Sequence, residues 1–253
     1  MITNNFVPCN GRFPTLIAII SMFFVGVSGG AFDSMLSALL LTLFIVLGVC
    51  MTFAVSKVLS MTVLKGIPSS FTLELPPYRR PQIGKVIVRS VFDRTLFVLG
   101  RAIAVAAPAG LLIWIMANVQ LDGITLLAHF SGFLDPFARL LGMDGVILMA
   151  FILGLPANEI VIPIIIMAYL ANGSLIEMNS LSAMKDLFLA QGWTLTTAVC
   201  TLIFVLFHWP CSTTCLTIYK ETKSLKWTLA AIAIPTVCGI LCCSAAAFVL
   251  RLF

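Results

Sequence analysis

Long apolar runs, interrupted at intervals by proline, amide and charge, set the pattern of this 253-residue chain. Stretches at about 13–28, 35–64, 102–119, 146–170, 193–208 and 227–250 approach the ~20 residues that a helix needs to cross a bilayer. The fourth is interrupted at its middle by Gly154-Leu155-Pro156-Ala157-Asn158-Glu159. Pro156 removes a backbone donor and clashes with the preceding turn, and Gly154 eases a bend. The pattern predicts two half-helices, Val146–Leu153 and Asn158–Leu170, with a break between them. Irregular backbone at membrane depth survives only where protein or a wet cavity satisfies it. An ionisable Glu159 at that depth costs at least ~2.5–3.5 kcal/mol. A carboxylate, freed carbonyls and half-helix ends at mid-membrane are what a small-cation site is built from. The plainer alternative is a proline kink with Glu159 capping the following helix.

The other runs follow in order. Met1–Gly11 is polar, with Pro8, and reads as the tail of something upstream. Gly29 and Gly30 form the turn after the first, short span, with Asp33 beside it. The second run is long enough to tilt or to extend past the bilayer. Residues 65–82 read as an extended loop, held open by Pro68, Pro76, Pro77 and Pro81. Residues 83–101 interleave Lys85, Arg89, Arg94 and Arg101 with apolar positions, which predicts an amphipathic helix on the membrane surface before a span. Asp93 is expected to pair with Arg89 or Arg94. Residues 121–145 are too polar to span and predict an interfacial helix. The domain reading is therefore 1–64, two spans; 65–101, loop and amphipathic helix; 102–191, the broken helix and its surroundings; and 192–253, the last two spans.

Composition sharpens the class. The chain is 60% hydrophobic and 10% charged, whereas soluble domains are nearer 45–50% apolar and ~25% charged. The fold class is all-α: a polytopic helical membrane protein with a broken or re-entrant helix and a surface amphipathic helix. The net charge of +5 is not a nucleic-acid signal. Its basic residues gather at 65–94 and 220–226, and both stretches belong in the cytoplasm by the positive-inside rule. Three apolar elements lie between them, and three full crossings cannot return to the starting side. Either one is re-entrant or the positive-inside rule fails here; for a re-entrant element, the broken one, with the break as a hairpin tip, fits best.

No GxxxxGK[ST], GxSxG or HExxH pattern occurs, so nucleotide binding by a P-loop and the common hydrolase mechanisms are not expected. The eight cysteines lie mostly in apolar runs, with no CxxC pair and no disulfide framework. Cys9, Cys211 and Cys215 differ, being flanked by prolines and polar residues. His208, Cys211 and Cys215 fall at i, i+3 and i+7, and imidazole with thiolate suits borderline to soft cations. The alternative is a simple helix break at Pro210 with close packing of small residues. Glu74, Arg79 and Arg80 are read as fixing a loop. Taken together, the breaks at Cys9, at Asn158 and Glu159, and at His208–Cys215 suggest one shared polar path across the bilayer.

Four segments carry a resemblance: PCNGRFPTL at 8–16, FTLELPPYRRP at 71–81, GLPANEIVIPIIIMAYL at 154–170 and HWPCSTTCLTIYKET at 208–222. In this order they resemble the membrane part of the ferrous iron transport protein B family (FeoB), specifically its C-terminal core and second Gate repeat. The resemblance implies Fe(II) as the transported ion, a multi-pass protein of the bacterial inner membrane, and no enzymatic site in this chain. It implies Cys211, and the matching Cys9, as iron-path residues; together with the reading of the breaks, the candidate metal ligands are Cys9, Asn158, Glu159, His208, Cys211 and Cys215. GTP enters only through a GTP-binding N-terminal half on another chain, which makes this chain a fragment or one part of a split transporter. Besides the lipid bilayer, a small cytoplasmic FeoA-like protein and a homo-oligomer are partners compatible with the family; nucleic acid is not. The competing readings are a Gate-type carrier for a nucleoside or another divalent metal, and a non-transporting membrane remnant or assembly subunit.

Overall fold

The computed structural model describes residues 2–25, 30–62, 82–121, 123–171, 178 and 180–252. The proline-rich loop with Glu74, Arg79 and Arg80, together with Asp122 and Glu177, lies outside them, as do the side chains of Asp93 and Arg94. Eleven α-helices are described: α1 (Phe13–Ile20), α2 (Ala31–Thr62), α3 (Ile83–Arg89), α4 (Phe97–Asn118), α5 (Leu126–Leu140), α6 (Gly145–Leu153), α7 (Val161–Leu170), α8 (Leu181–Ala190), α9 (Leu195–Phe207), α10 (Ser212–Thr222) and α11 (Leu225–Leu252). The only described strands, β1 (Gln120–Leu121) and β2 (Ile124–Thr125), form a small antiparallel hairpin before α5.

Local chemistry starts five of these helices. Gly30 N–H donates to Asp33 Oδ2 (3.3 Å) at the first turn of α2, half of a capping box. Thr125, Asp144, Ser180 and Thr194 accept a backbone N–H at the N-termini of α5, α6, α8 and α9, each satisfying an otherwise orphaned donor. The turn between α5 and α6 passes through Gly142 at φ +77°, a conformation that costs an L-residue and is open to glycine.

Four described segments are long and apolar enough to cross a membrane: Thr3–Val25, Phe32–Thr62, Leu195–Thr222 and Leu225–Leu252, with α5 and α6 a fifth if their 109° bend is taken within one span. The chain is a multi-pass membrane protein. Its centre is built from α1, α6, α7 and α9, where Leu16, Ile147, Ala150, Phe151, Ile164, Ile165 and Phe204 are all sealed from solvent. The periphery is apolar outward: Phe32, Met35, Leu43 and Phe53 on α2 and Leu241 and Phe248 on α11 are all more than half exposed. That much contiguous apolar surface suits lipid, not water.

The N-terminal residues pack onto the membrane helices. Phe6 is fully buried and meets the Phe207 ring edge-on at 5.7 Å, and Ser56 and Thr3 share a hydrogen bond of 3.0 Å. The amphipathic segment is helical, but a π-type stretch, Ser90–Leu96, carries it straight into α4. It is the first part of one long helix, because no proline or cap separates the charged turns from the apolar ones.

Candidate functional site: three broken helices meeting at their breaks

The predicted break is present. α6 ends at Leu153, Gly154–Ala157 is irregular, a 3₁₀ turn covers Asn158–Ile160, and α7 follows. The Tyr169 hydroxyl donates to Asp144 Oδ2, so the start of α6 and the end of α7 meet. The two half-helices form an antiparallel hairpin whose tip is the break. At 1.5 Å per residue α6 is only about 13 Å long, less than half of a ~30 Å hydrocarbon core.

Two other membrane segments are broken as well. Thr3–Val25 is interrupted at Pro8-Cys9, between 3₁₀ turns at Ile2–Phe6 and Asn10–Arg12. Leu195–Thr222 is interrupted at His208–Cys211, between α9 and α10. These breaks touch the hairpin tip. Ser212 N–H donates to Leu155 O (2.9 Å). Asn158, 6% exposed, lies between the other two, with its amide 3.9 Å from Cys9 Sγ and 3.3 Å from His208 Nε2. A Cβ placed on Gly11 would sit 3.3 Å from Glu159 Oε1.

The histidine is enclosed. His208 is 1% exposed and walled by the rings of Phe151 (5.1 Å), Phe204 (6.1 Å) and Trp209 (6.0 Å). Its Nδ1 faces Phe204 O (3.0 Å) and Val205 O (2.9 Å). Both are acceptors, so Nδ1 carries the proton and Nε2 of a neutral imidazole presents a lone pair. Asn158 Oδ1 faces Nε2 and Asn158 Nδ2 donates to Cys9 Sγ; with the amide turned over, its NH2 meets the Nε2 lone pair instead. The result is a relay from Cys9 through Asn158 to His208, joining one residue from each break.

Sequence reasoning missed Arg12, the charge at the entry to the first apolar run. Arg12 is 1% exposed. Its Nη1 donates to Asn5 O (2.8 Å) and Leu206 O (3.0 Å), and its Nη2 to Asn5 Oδ1 (3.2 Å), His208 O (3.2 Å) and Trp209 O (3.3 Å). Asn5 Nδ2 adds a bond to His208 O (2.8 Å). A helix leaves its last four carbonyls without intrahelical partners, and Pro210 prevents the chain from supplying them by continuing α9. Arg12 and Asn5 supply donors instead. Among the described residues Arg139 forms an ion pair with Asp135 at 2.6 Å, and no described carboxylate pairs with Arg12. An uncompensated buried charge costs several kcal/mol, offset here by five carbonyl and amide oxygens. The one signal available was that Arg12 is the only charge before Asp33, placed between a cysteine and a proline.

The six predicted ligands are placed unevenly. Cys9, Asn158 and His208 are in line. Cys211 stands at the N-terminus of α10, its sulfur 3.1 Å from the hydroxyls of both Thr213 and Thr214. Cys215, one turn on, directs its thiol at Pro210 O (3.6 Å). Glu159 is exposed while its neighbour Asn158 is buried, so the two do not point into one space. Among the described residues no three His, Cys, Asp or Glu side chains group as a metal site. At the hairpin's other end a cavity of about 430 Å³ is lined by Asp135, Asp144, Tyr169 and Ser131. Buried apolar side chains of α6 and α7, among them Ile147, Ala150, Ile164 and Ile165, lie between that cavity and the tip.

Comparison with known proteins bears on this arrangement. The family described as ferrous iron transport protein B C terminus matches residues 41–94, and the Gate family, described as nucleoside recognition, matches residues 99–225. The Fe(2+) transporter FeoB of Staphylococcus aureus (strain COL) is 29% identical over 242 residues, covering 92% of this chain and 33% of that protein. The chain belongs to the FeoB family. It corresponds to the C-terminal membrane part. FeoB of Campylobacter jejuni is 26% identical over 239 residues, with 89% of this chain and 37% of the relative covered. FeoB of Synechocystis is 28% identical over 233 residues, with 90% and 35% covered. The chain thus spans about a third of the length of the curated relatives it matches. No solved structure matches it. The Gate match contains the hairpin, α9 and the His208–Cys215 break, whereas Cys9 and Arg12 lie outside both family matches.

Proposed function

We propose that this chain is the permease part of a ferrous iron transporter of the bacterial inner membrane, in which Fe(II) crosses where the three breaks meet. The observation that carries the reading is the line from Cys9 through Asn158 to His208, with Cys211 beside it, formed by three separate interrupted helices. Thiolate and imidazole suit a borderline cation such as Fe(II). Glu159, exposed at the hairpin tip beside Gly11, and the exposed thiol of Cys9 are the groups that an arriving cation meets first; Asn158 Oδ1 and the half-buried thiols of Cys211 and Cys215 are the groups further in. GTP hydrolysis would be supplied by a GTP-binding half carried outside these 253 residues, acting from the cytoplasmic face. A nucleoside cargo fits less well, because the meeting point offers thiols, one imidazole and one amide where a nucleoside calls for several amides and open aromatic faces.

The test is Fe(II) uptake into vesicles holding this chain together with a supplied GTP-binding half. Glu159→Gln and Cys211→Ser are each expected to lower the GTP-dependent rate by tenfold or more. Undiminished uptake in both variants removes this route.

A further inference from the structure

Arg12 occupies an oxygen cage of the kind a permeating cation needs. Interrupted transmembrane helices bind cations through unwound carbonyls and half-helix C-terminal ends. Here those oxygens are Leu206 O, His208 O and Trp209 O, at the end of α9, and all three are engaged by one guanidinium, together with Asn5 O and Asn5 Oδ1. The guanidinium lies within electrostatic reach of both Cys9 and Cys211. With five oxygens gathered on Arg12, the joint is rich in acceptors, borders two thiols, and is closed by a cation that belongs to the chain itself.

We infer that Arg12 is a tethered cation that plugs a divalent-metal site formed by the α9 C-terminal carbonyls and the thiols of Cys9 and Cys211. The plug holds the path shut until the side chain swings out. The inference rests on the iron-permeation reading above and adds to it a site and the residue that competes for it. It accounts for a full positive charge that stays buried with no described carboxylate paired to it, because it stands in for the transported ion. Opening need move only the short Asn10–Arg12 turn, which follows directly on Cys9.

The experiment is equilibrium Co(II) binding to the 253-residue chain in nanodiscs, read by thiolate-to-cobalt charge-transfer absorbance. The plugged wild type is expected to bind weakly. Arg12→Gln, which removes the charge, is expected to bind at least tenfold more tightly. Arg12→Lys, which keeps a cation in the cage, is expected to behave as wild type. Adding Cys211→Ser to Arg12→Gln is expected to abolish the absorbance. Arg12→Gln with wild-type helicity and no gain in Co(II) affinity overturns the inference. Should Arg12→Gln fail to fold, Asn5→Ala loosens the plug by removing Asn5 Oδ1 and the bond to His208 O. It is expected to bind about threefold more tightly, and no gain there overturns the inference equally. Uptake that depends on Cys211 alongside no gain in Arg12→Gln removes the plug and leaves the route. A gain in Co(II) alongside uptake indifferent to Glu159 and Cys211 removes the route and leaves the plug.

Discussion

Tyr169→Phe isolates what holds the base of the hairpin. The hydroxyl makes two bonds there, donating to Asp144 Oδ2 and accepting Trp193 Nε1–H at 2.8 Å. Trp193 is 3% exposed and keeps no alternative partner, so its orphaned N–H costs on the order of 1–3 kcal/mol. The bond to the Asp144 carboxylate is worth about 1.5–3 kcal/mol as a charged-group bond. Asp144 borders the 430 Å³ cavity, so water regains much of that second loss. It also keeps its bond from Ile147 N–H at 2.7 Å. The net is roughly 1.5–3 kcal/mol, or about 10–100-fold in a local opening equilibrium at ~1.4 kcal/mol per decade. The buried apolar faces of α6 and α7 are untouched, so the opening stays at the base. Hydrogen exchange of the nanodisc-embedded chain reads this directly. Amides in the first turn of α6 and the last turn of α7 are expected to exchange about 10–100-fold faster, with Asn158–Ile160 unchanged. Unaltered exchange at the base would refute the view that this network closes the hairpin. Faster exchange throughout α6, α7 and α9 would refute the claim that the effect is local.

Three further outcomes follow from close contacts and backbone conformation. A Cβ at Gly48 would lie 2.4 Å from Phe6 O, so Gly48→Ala is expected to lever the N-terminal turn off α2 and lower thermal stability in detergent by about 1–3 kcal/mol. At Gly145 the Cβ would meet Ser131 O at 2.0 Å and the Asp135 backbone at 2.9 Å. Gly145→Ala should therefore separate α5 from α6 and leave the chain poorly folded, seen as early elution and loss of the cooperative melt. Ala171 ends α7 at φ 52°, where an L-residue costs roughly 1–2 kcal/mol. Ala171→Gly is expected to raise the unfolding free energy by up to about 1 kcal/mol, and a fall would contradict the helix-end argument.

What could be read from the chain divides by range of interaction. The break at Gly154–Glu159 and both half-helices were legible because proline acts on its own turn, and α6 and α7 fall within three residues of the predicted limits. The hairpin was legible from the break itself, which leaves two halves each too short to span. The assembly of the site was not. Asn158 reaches Cys9 across 149 residues and His208 across 50, and no local rule pairs a given break with another. Arg12 was missed for a related reason. A lone arginine beside an apolar run looks interfacial, and only the unfilled carbonyls of α9, nearly 200 residues away, draw it inward. Glu159 and Asn158 were expected to act together because they are adjacent, but successive residues of a 3₁₀ turn point about 120° apart, which leaves one buried and the other exposed.

A single broken helix in hydrocarbon leaves polar backbone groups that cost several kcal/mol each. The three breaks here answer one another's needs. Arg12 and Asn5, from the first, satisfy the carbonyls at the end of α9. Ser212 N–H, from the third, satisfies Leu155 O in the second. Asn158, from the second, bridges Cys9 and His208. No break is complete without the other two, so the three are expected to open and close together. Displacing Arg12 frees oxygens at His208 and Trp209, and those residues flank the imidazole and precede the thiol of Cys211. Movement at the first break is thereby felt at the ligands of the third. In that sense the same unsatisfied carbonyls that make an interrupted helix costly also couple the three segments around one path.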